Sequence, residues 1–257
     1  MHAELTLSAG TLFAFLLVLA RIAGALSFVP LPGISAVPPA ARIALAVILT
    51  LALVSRWPAV DASTVTLFRL AGWAIGEAAI GLAIGVAIAF VLEAFTFAAQ
   101  VLGVPAGYGY ASTVDPNTQA DSGILIILAE LVAGLLFFAL GLDREVLRLF
   151  ALSLDRVPAG AYVLGPKSAA AVVQLASGLF STGVRIALPV VALLIMVDVA
   201  LALLGRLNSQ LQLLSLAFPL KMMAALAMLV WLAALLPRIL LDYAGQAFGV
   251  ARRVLGI

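Results

Sequence analysis

The stretch from Phe68 to Leu102, FRLAGWAIGEAAIGLAIGVAIAFVLEAFTFAAQVL, contains no proline, and its charged residues are Arg69, Glu77 and Glu93. A bilayer has a hydrocarbon core about 30 Å thick, which roughly 20 mostly apolar helical residues cross. As one helix this stretch extends about 50 Å at 1.5 Å per residue, so it must tilt, bend or project beyond the bilayer. Five further apolar runs flank it: Leu12 to Pro30, Ala41 to Trp57, Ile124 to Leu142, Val172 to Leu204 and Leu211 to Leu236. Of the 257 residues, 65% are hydrophobic and 10% charged, and the mean hydropathy is +1.24. Soluble domains run at about half apolar and about a quarter charged. The chain therefore reads as an all-α integral membrane protein of about six apolar helices, forming one membrane-embedded domain over residues 1–257.

Between the runs, proline and glycine supply the breaks, as VPLPGISAVPP at Val29 to Pro39 and GVPAGYGYASTVDPNTQADSG at Gly103 to Gly123. Pro189 and Pro219 fall inside apolar runs. Each removes a backbone hydrogen bond and is expected to kink its helix against protein neighbours that re-satisfy the freed carbonyl. The N-terminal MHAELTLSAG has no basic segment before its apolar stretch, so the first run reads as retained rather than as a signal peptide. If all six runs cross, Arg56, Arg69, Arg144, Arg148, Arg156, Lys167, Arg238, Arg252 and Arg253 collect on one side, and Arg42 and Arg206 on the other. The positive-inside rule then places both termini in the cytoplasm.

Several chemistries lack their residues. The formal net charge is +2, with no basic cluster, which argues against nucleic acid as a partner. There is no cysteine, and His2 is the one histidine. Disulfides, thiolate metal sites and a histidine-based catalytic constellation are thereby excluded, and no catalytic residue or metal site is assigned. No GxxxxGK[ST] loop is present to bind a nucleotide, and no cofactor is implied.

Within the long third run, Gly72 and Gly76 have GxxxG spacing, and Gly81 and Gly85 repeat it. At about 100° per residue the two pairs lie on roughly opposite faces of a helix. Small residues at this spacing let membrane helices approach closely. Gly76 and Gly81 are accordingly expected to accept alanine but not leucine; the alternative is that glycine is simply common in membrane helices.

Seven charges lie well inside the apolar runs, away from their ends: Arg21, Glu77, Glu93, Glu130, Arg185, Asp198 and Lys221. Each costs about 2.5 to 3.5 kcal/mol at a helix centre on insertion scales, so each should face protein or water. Ion pairing between helices, or burial against other subunits, is one reading. A proton or ion pathway is the other. Glu77 and Glu93 sit about 160° apart on an unbroken helix, so they do not form a carboxylate pair, which weakens the second reading.

The loop from Gly103 to Gly123 has no Lys or Arg, and glycine and small residues surround Tyr108 and Tyr110. Asp115-Pro116-Asn117 is a turn signal. Such a loop suits a place against protein, lining or closing a passage, although a plain surface loop is the other reading.

Three segments carry a resemblance to a known family. They are Gly103 to Gln119 with its Val114-Asp115-Pro116 turn, Ala187-Leu188-Pro189 followed by VVALLIMVDVALALLGRLNSQL, and Phe218-Pro219-Leu220. Weaker likeness at Arg42 to Ala46 and Ile75 to Ile88 extends it over nearly the whole chain. In these the chain resembles the flagellar biosynthetic FliR family, subunits of the type III secretion export gate, with injectisome counterparts.

The resemblance implies long kinked hairpins packed with P and Q subunits, and other export-apparatus membrane proteins, in a helical hetero-oligomeric complex. Unfolded export substrates pass through that complex, in the flagellar basal body of the bacterial inner membrane. It implies that the loop plugs the channel through Gly107, Tyr108, Gly109, Tyr110 and Val114, with Asp115 and Pro116 shaping the turn. The chain departs from the family pattern at Tyr110, where phenylalanine is frequent, at Thr113, where a bulky residue is, and at Ser209, where proline is common. The leading expectation is a non-enzymatic subunit that forms and seals a protein-conducting channel surrounded by membrane lipid. The alternatives are a secondary transporter or ion channel using Glu77, Glu93, Asp198 and Lys221, and a membrane scaffold with no passage.

Overall fold

A computed structural model describes residues 8–27, 38–63, 65–108, 123–158, 160, 166–207 and 213–256, with the backbone alone at 166–169 and 213–216. The described residues form eight α-helices: α1 (Ala9–Leu26), α2 (Pro39–Ala52), α3 (Leu67–Gly103), α4 (Ile124–Ala139), α5 (Leu142–Arg156), α6 (Pro166–Leu207), α7 (Leu213–Ala233) and α8 (Leu236–Leu255). A short 3₁₀ turn, Val54–Arg56, follows α2. Among the described residues there is no strand.

Local chemistry sets several helix ends. Ser8 Oγ accepts the N–H of Thr11 at 3.2 Å and caps α1. α2 starts on Pro39, whose missing N–H costs nothing in a first turn. Gly141, at φ +70°, takes the left-handed conformation that separates α4 from α5. α5 carries Asp143 and Glu145 in its first turn and Arg156 in its last, each favourable to the helix dipole.

Each of the six apolar runs contains one helix, and α3 is continuous over 37 residues. Crossing is another matter. Among the described residues, three helices are long and apolar enough to cross a membrane, Ala9–Leu26, Leu67–Gly103 and Ala170–Leu207, or up to five spans if two bent pairs each count as one. α2 has 14 residues. At about 1.5 Å each they reach roughly 21 Å, short of the hydrocarbon core. The placement of both termini in the cytoplasm assumed six crossings and so loses its premise.

The chain divides into two compact units. The first comprises Met1–Phe90, Gly141–Ala176 and Ala244–Ile257, and the second Val91–Leu140 and Ser177–Tyr243. In the first unit, α1 and α3 meet backbone to backbone. A Cβ on Gly81 would overlap the carbonyl oxygen of Arg21, one on Gly85 that of Ala25, and one on Gly24 that of Ala78. Around this crossing Leu17, Val18, Ile22, Ile80, Ile84 and Leu149 are buried. The expectation that Gly81 accepts alanine is therefore wrong: even one methyl group collides with a main-chain atom that no rotamer change can move. Gly72 lies on α3 with open space where its side chain would be.

In the second unit the C-terminal part of α3 packs on α6. A Cβ at Gly183 would strike the Phe97 ring and approach the Ala94 carbonyl oxygen at 3.0 Å. Phe97 in turn meets Phe180 edge to face, with ring centroids 5.1 Å apart, a favoured aromatic geometry. Pro189 and Pro219 lie inside α6 and α7.

Candidate functional site: a buried ion pair and the root of a loop

Arg21, on α1, is 1% exposed, and Glu77, on α3, is 2% exposed. The Nε of Arg21 donates to Glu77 Oε2 at 2.6 Å, Nη1 to Ser153 Oγ at 3.1 Å and Nη2 to the Val157 carbonyl at 3.3 Å. Ser153 passes its own hydrogen to the Phe150 carbonyl at 2.8 Å. The guanidinium thus finds a charged and two neutral acceptors, which a buried cation requires. Glu77 and Gly81 are one helical turn apart, so a single face of α3 receives both the side chain and the main-chain carbonyl of Arg21. Sequence reasoning singled out Arg21 and Glu77 without pairing them. It missed Ser153 and Gly24, because nothing local marks a contact spanning 132 residues.

The other embedded charges are placed differently. Lys221 on α7 pairs with Asp198 on α6, with side chains 17% and 50% exposed. Glu93 and Arg185 are exposed, and Glu130 is intermediate. On α3, Gly76 is also intermediate, while Gly81 and Gly85 are buried.

Of the loop residues, Gly107 and Tyr108 are described, whereas Gly109, Tyr110, Val114, Asp115 and Pro116 lie outside the described residues. Gly107 sits at φ +85°, and a Cβ there would come within 3.0 Å of the Phe218 ring on α7. The Tyr108 hydroxyl donates to the Met222 carbonyl at 3.4 Å. Burial pushes its pKa above the ordinary tyrosine value, so it remains a donor at neutral pH. Phe218, read from sequence only as part of a motif, and Met222 are thus the α7 residues against which the loop's first residues rest. Among the described residues, no group of His, Cys, Asp or Glu is placed to hold a metal ion.

Comparison with known proteins places this helical arrangement. The chain matches the family described as bacterial export proteins, family 1, over residues 12–247. It is 28% identical over 222 residues to the flagellar biosynthetic protein FliR of Escherichia coli K12, covering 86% of this chain and 83% of that one. The FliR of Caulobacter vibrioides is 27% identical over 218 residues, covering 83% and 85%. That of Pectobacterium carotovorum is 26% identical over 219 residues, covering 84% and 83%. Since the family match takes in every described helix from α1 to most of α8, the chain belongs to the bacterial export proteins, family 1.

Proposed function

We propose that this chain is a non-enzymatic subunit of the flagellar type III export gate, seated in the bacterial inner membrane at the flagellar basal body. With P and Q subunits it forms the protein-conducting channel for unfolded flagellar proteins, and its loop from Gly107 to Asp115 closes that channel at rest. The observation that carries this reading is the likeness to proteins named for flagellar biosynthesis over more than four-fifths of both chains.

Further support comes from the surface. Large apolar side chains such as Ile75, Leu135, Met196 and Trp231 stand exposed. Exposed charges at Glu93 and Arg185 sit on the same helices. Lipid alone is a poor partner for that mixture, whereas neighbouring subunits can satisfy both kinds of group. Gly72, Gly76, Glu93, Glu130 and Arg185 would then be subunit contacts. The loop's role draws support from its root, where Gly107 and Tyr108 are held against α7. The transporter alternative is weakened because Glu77 and Asp198, two acids it needs, are already paired with Arg21 and Lys221.

The test is to delete the gene in its own bacterium and to tag the protein for mild extraction. Loss of flagellar filament with export substrates retained inside, and co-purification of P and Q subunits, are expected. Normal filaments, or a tagged protein that extracts alone, would contradict the reading.

A further inference from the structure

Arg42 has no described acid partner, unlike Arg252, whose Nε also lacks a hydrogen-bond partner but whose Nη2 lies 3.5 Å from Glu145. The Nε of Arg42 is enclosed by protein and has no hydrogen-bond partner. Arg21 has Glu77, Arg56 has Asp155 and Arg148 has Glu145, but no described ion pair includes Arg42. Its own stretch of chain offers nothing, because no Asp or Glu occurs between Glu4 and Asp61. A half-buried guanidinium with no anion beside it is costly, and Arg42 lines an open groove, so the position favours an anion from outside the chain.

The surroundings say what kind. Arg42 opens onto a groove between α1 and α2 whose walls are Leu19, Ala23 and Leu26 on one side and Ile43, Ala46 and Val47 on the other. The cation is in the first turn of α2, level with Ser27 at the end of α1, and both line the groove. α1 is a candidate span. From Leu26 back to Leu19 the apolar wall runs about 10 Å toward the middle of that span. Charge at the end of a span, with an apolar trough leading inward, matches a molecule with an anionic head and a hydrocarbon tail. A carboxylate on a partner helix would use the cation but has no need of the trough. Basic pockets between membrane helices are suited to acidic lipid headgroups.

We propose that the α1–α2 groove binds an anionic phospholipid, its phosphate on Arg42 and one acyl chain along the apolar walls. The proposal does not rest on the role assigned to the loop.

The chain, extracted with its co-purifying membrane proteins, is exchanged into detergent containing phosphatidylglycerol or phosphatidylcholine of the same chain length. Retained lipid is counted by native mass spectrometry. Phosphatidylglycerol should be retained in preference. Arg42→Gln should lower its retention about fivefold, as expected for one basic residue at a membrane surface. Arg42→Lys should keep most of it. Val47→Trp, which fills the trough and leaves the charge, should also lower it, whereas Arg238→Gln on α8 should not. Equal retention of the two lipids, or phosphatidylglycerol retention untouched by both Arg42→Gln and Val47→Trp, would overturn the proposal. So would an Arg42→Gln protein that keeps its lipid but sheds a co-purifying subunit, which would assign the cation to a partner's carboxylate.

Discussion

Arg21 Nε donates to Glu77 Oε2 across 2.6 Å, and the two side chains are 2% and 3% exposed. Breaking such a pair from one side leaves a buried charge without a counterion, at a cost of about 3–5 kcal/mol. Arg21→Met should therefore lower the thermal unfolding midpoint of the detergent-solubilised complex sharply. Arg21→Met with Glu77→Leu should recover most of the loss, because two apolar groups of similar volume replace the pair. Ser153→Ala, which takes a neutral acceptor from a buried guanidinium, should cost about 1.5–3 kcal/mol. An Arg21→Met protein as stable as the parent would refute the pairing.

The α1–α3 crossing makes a prediction about glycine that differs along one helix. Gly81→Ala and Gly24→Ala each push a methyl group into a main-chain carbonyl and should cost at least about 1–3 kcal/mol, the range for overpacking. Gly72→Ala meets open space and should leave the stability of the chain unchanged or slightly raised. Unfolding midpoints of the three variants, measured side by side, check the ordering. Equal effects at Gly72 and Gly81 would mean that the close approach lies elsewhere.

The apolar helices were legible because a bilayer demands long apolar runs, and each of the six runs contains a helix. α5 and α8 were not. Residues such as Asp143, Arg144, Glu145 and Arg148 on α5, and Arg238, Asp242, Arg252 and Arg253 on α8, interrupt their apolar character, so neither reads as an apolar run of its own. The glycine spacing in α3 marked where a helix comes close, but not which helix, nor that Gly72 and Gly81 have opposite surroundings. Embedded charges were visible one by one. Their pairing across 56 residues, from Arg21 to Glu77, is a property of the packed chain alone.

Lys221 and Asp198 form a second pair that joins α6 to α7. Removing one charge leaves the other within an apolar helix, where insertion scales assign about 2.5 to 3.5 kcal/mol at the centre. Half the Asp198 side chain is exposed, so the loss should fall below that for Arg21. Lys221→Met is expected to destabilise, Asp198→Asn to do so less, and the double variant to lie near the milder single. A double-mutant cycle on the unfolding midpoint measures the coupling. Strict additivity would show that the pair does not interact.

At the root of the loop, Gly107→Ala combines a positive φ with a 3.0 Å approach to Phe218. It should strain the junction by about 1–2 kcal/mol. Shortening Phe218 to leucine should relieve the steric part and leave the backbone part. Tyr108→Phe removes a single long hydrogen bond and should cost less than about 1 kcal/mol. Protease sensitivity of the loop in assembled complexes reports the effect, and a Gly107→Ala complex no more sensitive than Tyr108→Phe would contradict it.

Sealing and opening place opposite demands on the loop. In the proposed function, apolar area at Tyr108, Tyr110 and Val114 would fill space, while Gly107 and Gly109 would allow the backbone to yield to a substrate. The direct test is the ion conductance of membranes holding intact complexes and complexes lacking residues 107–113. The account predicts that the shortened loop raises resting conductance while P and Q subunits remain assembled, with Tyr110→Ala showing a weaker leak. Equal conductance, with assembly verified in both, would show that this loop does not seal the channel.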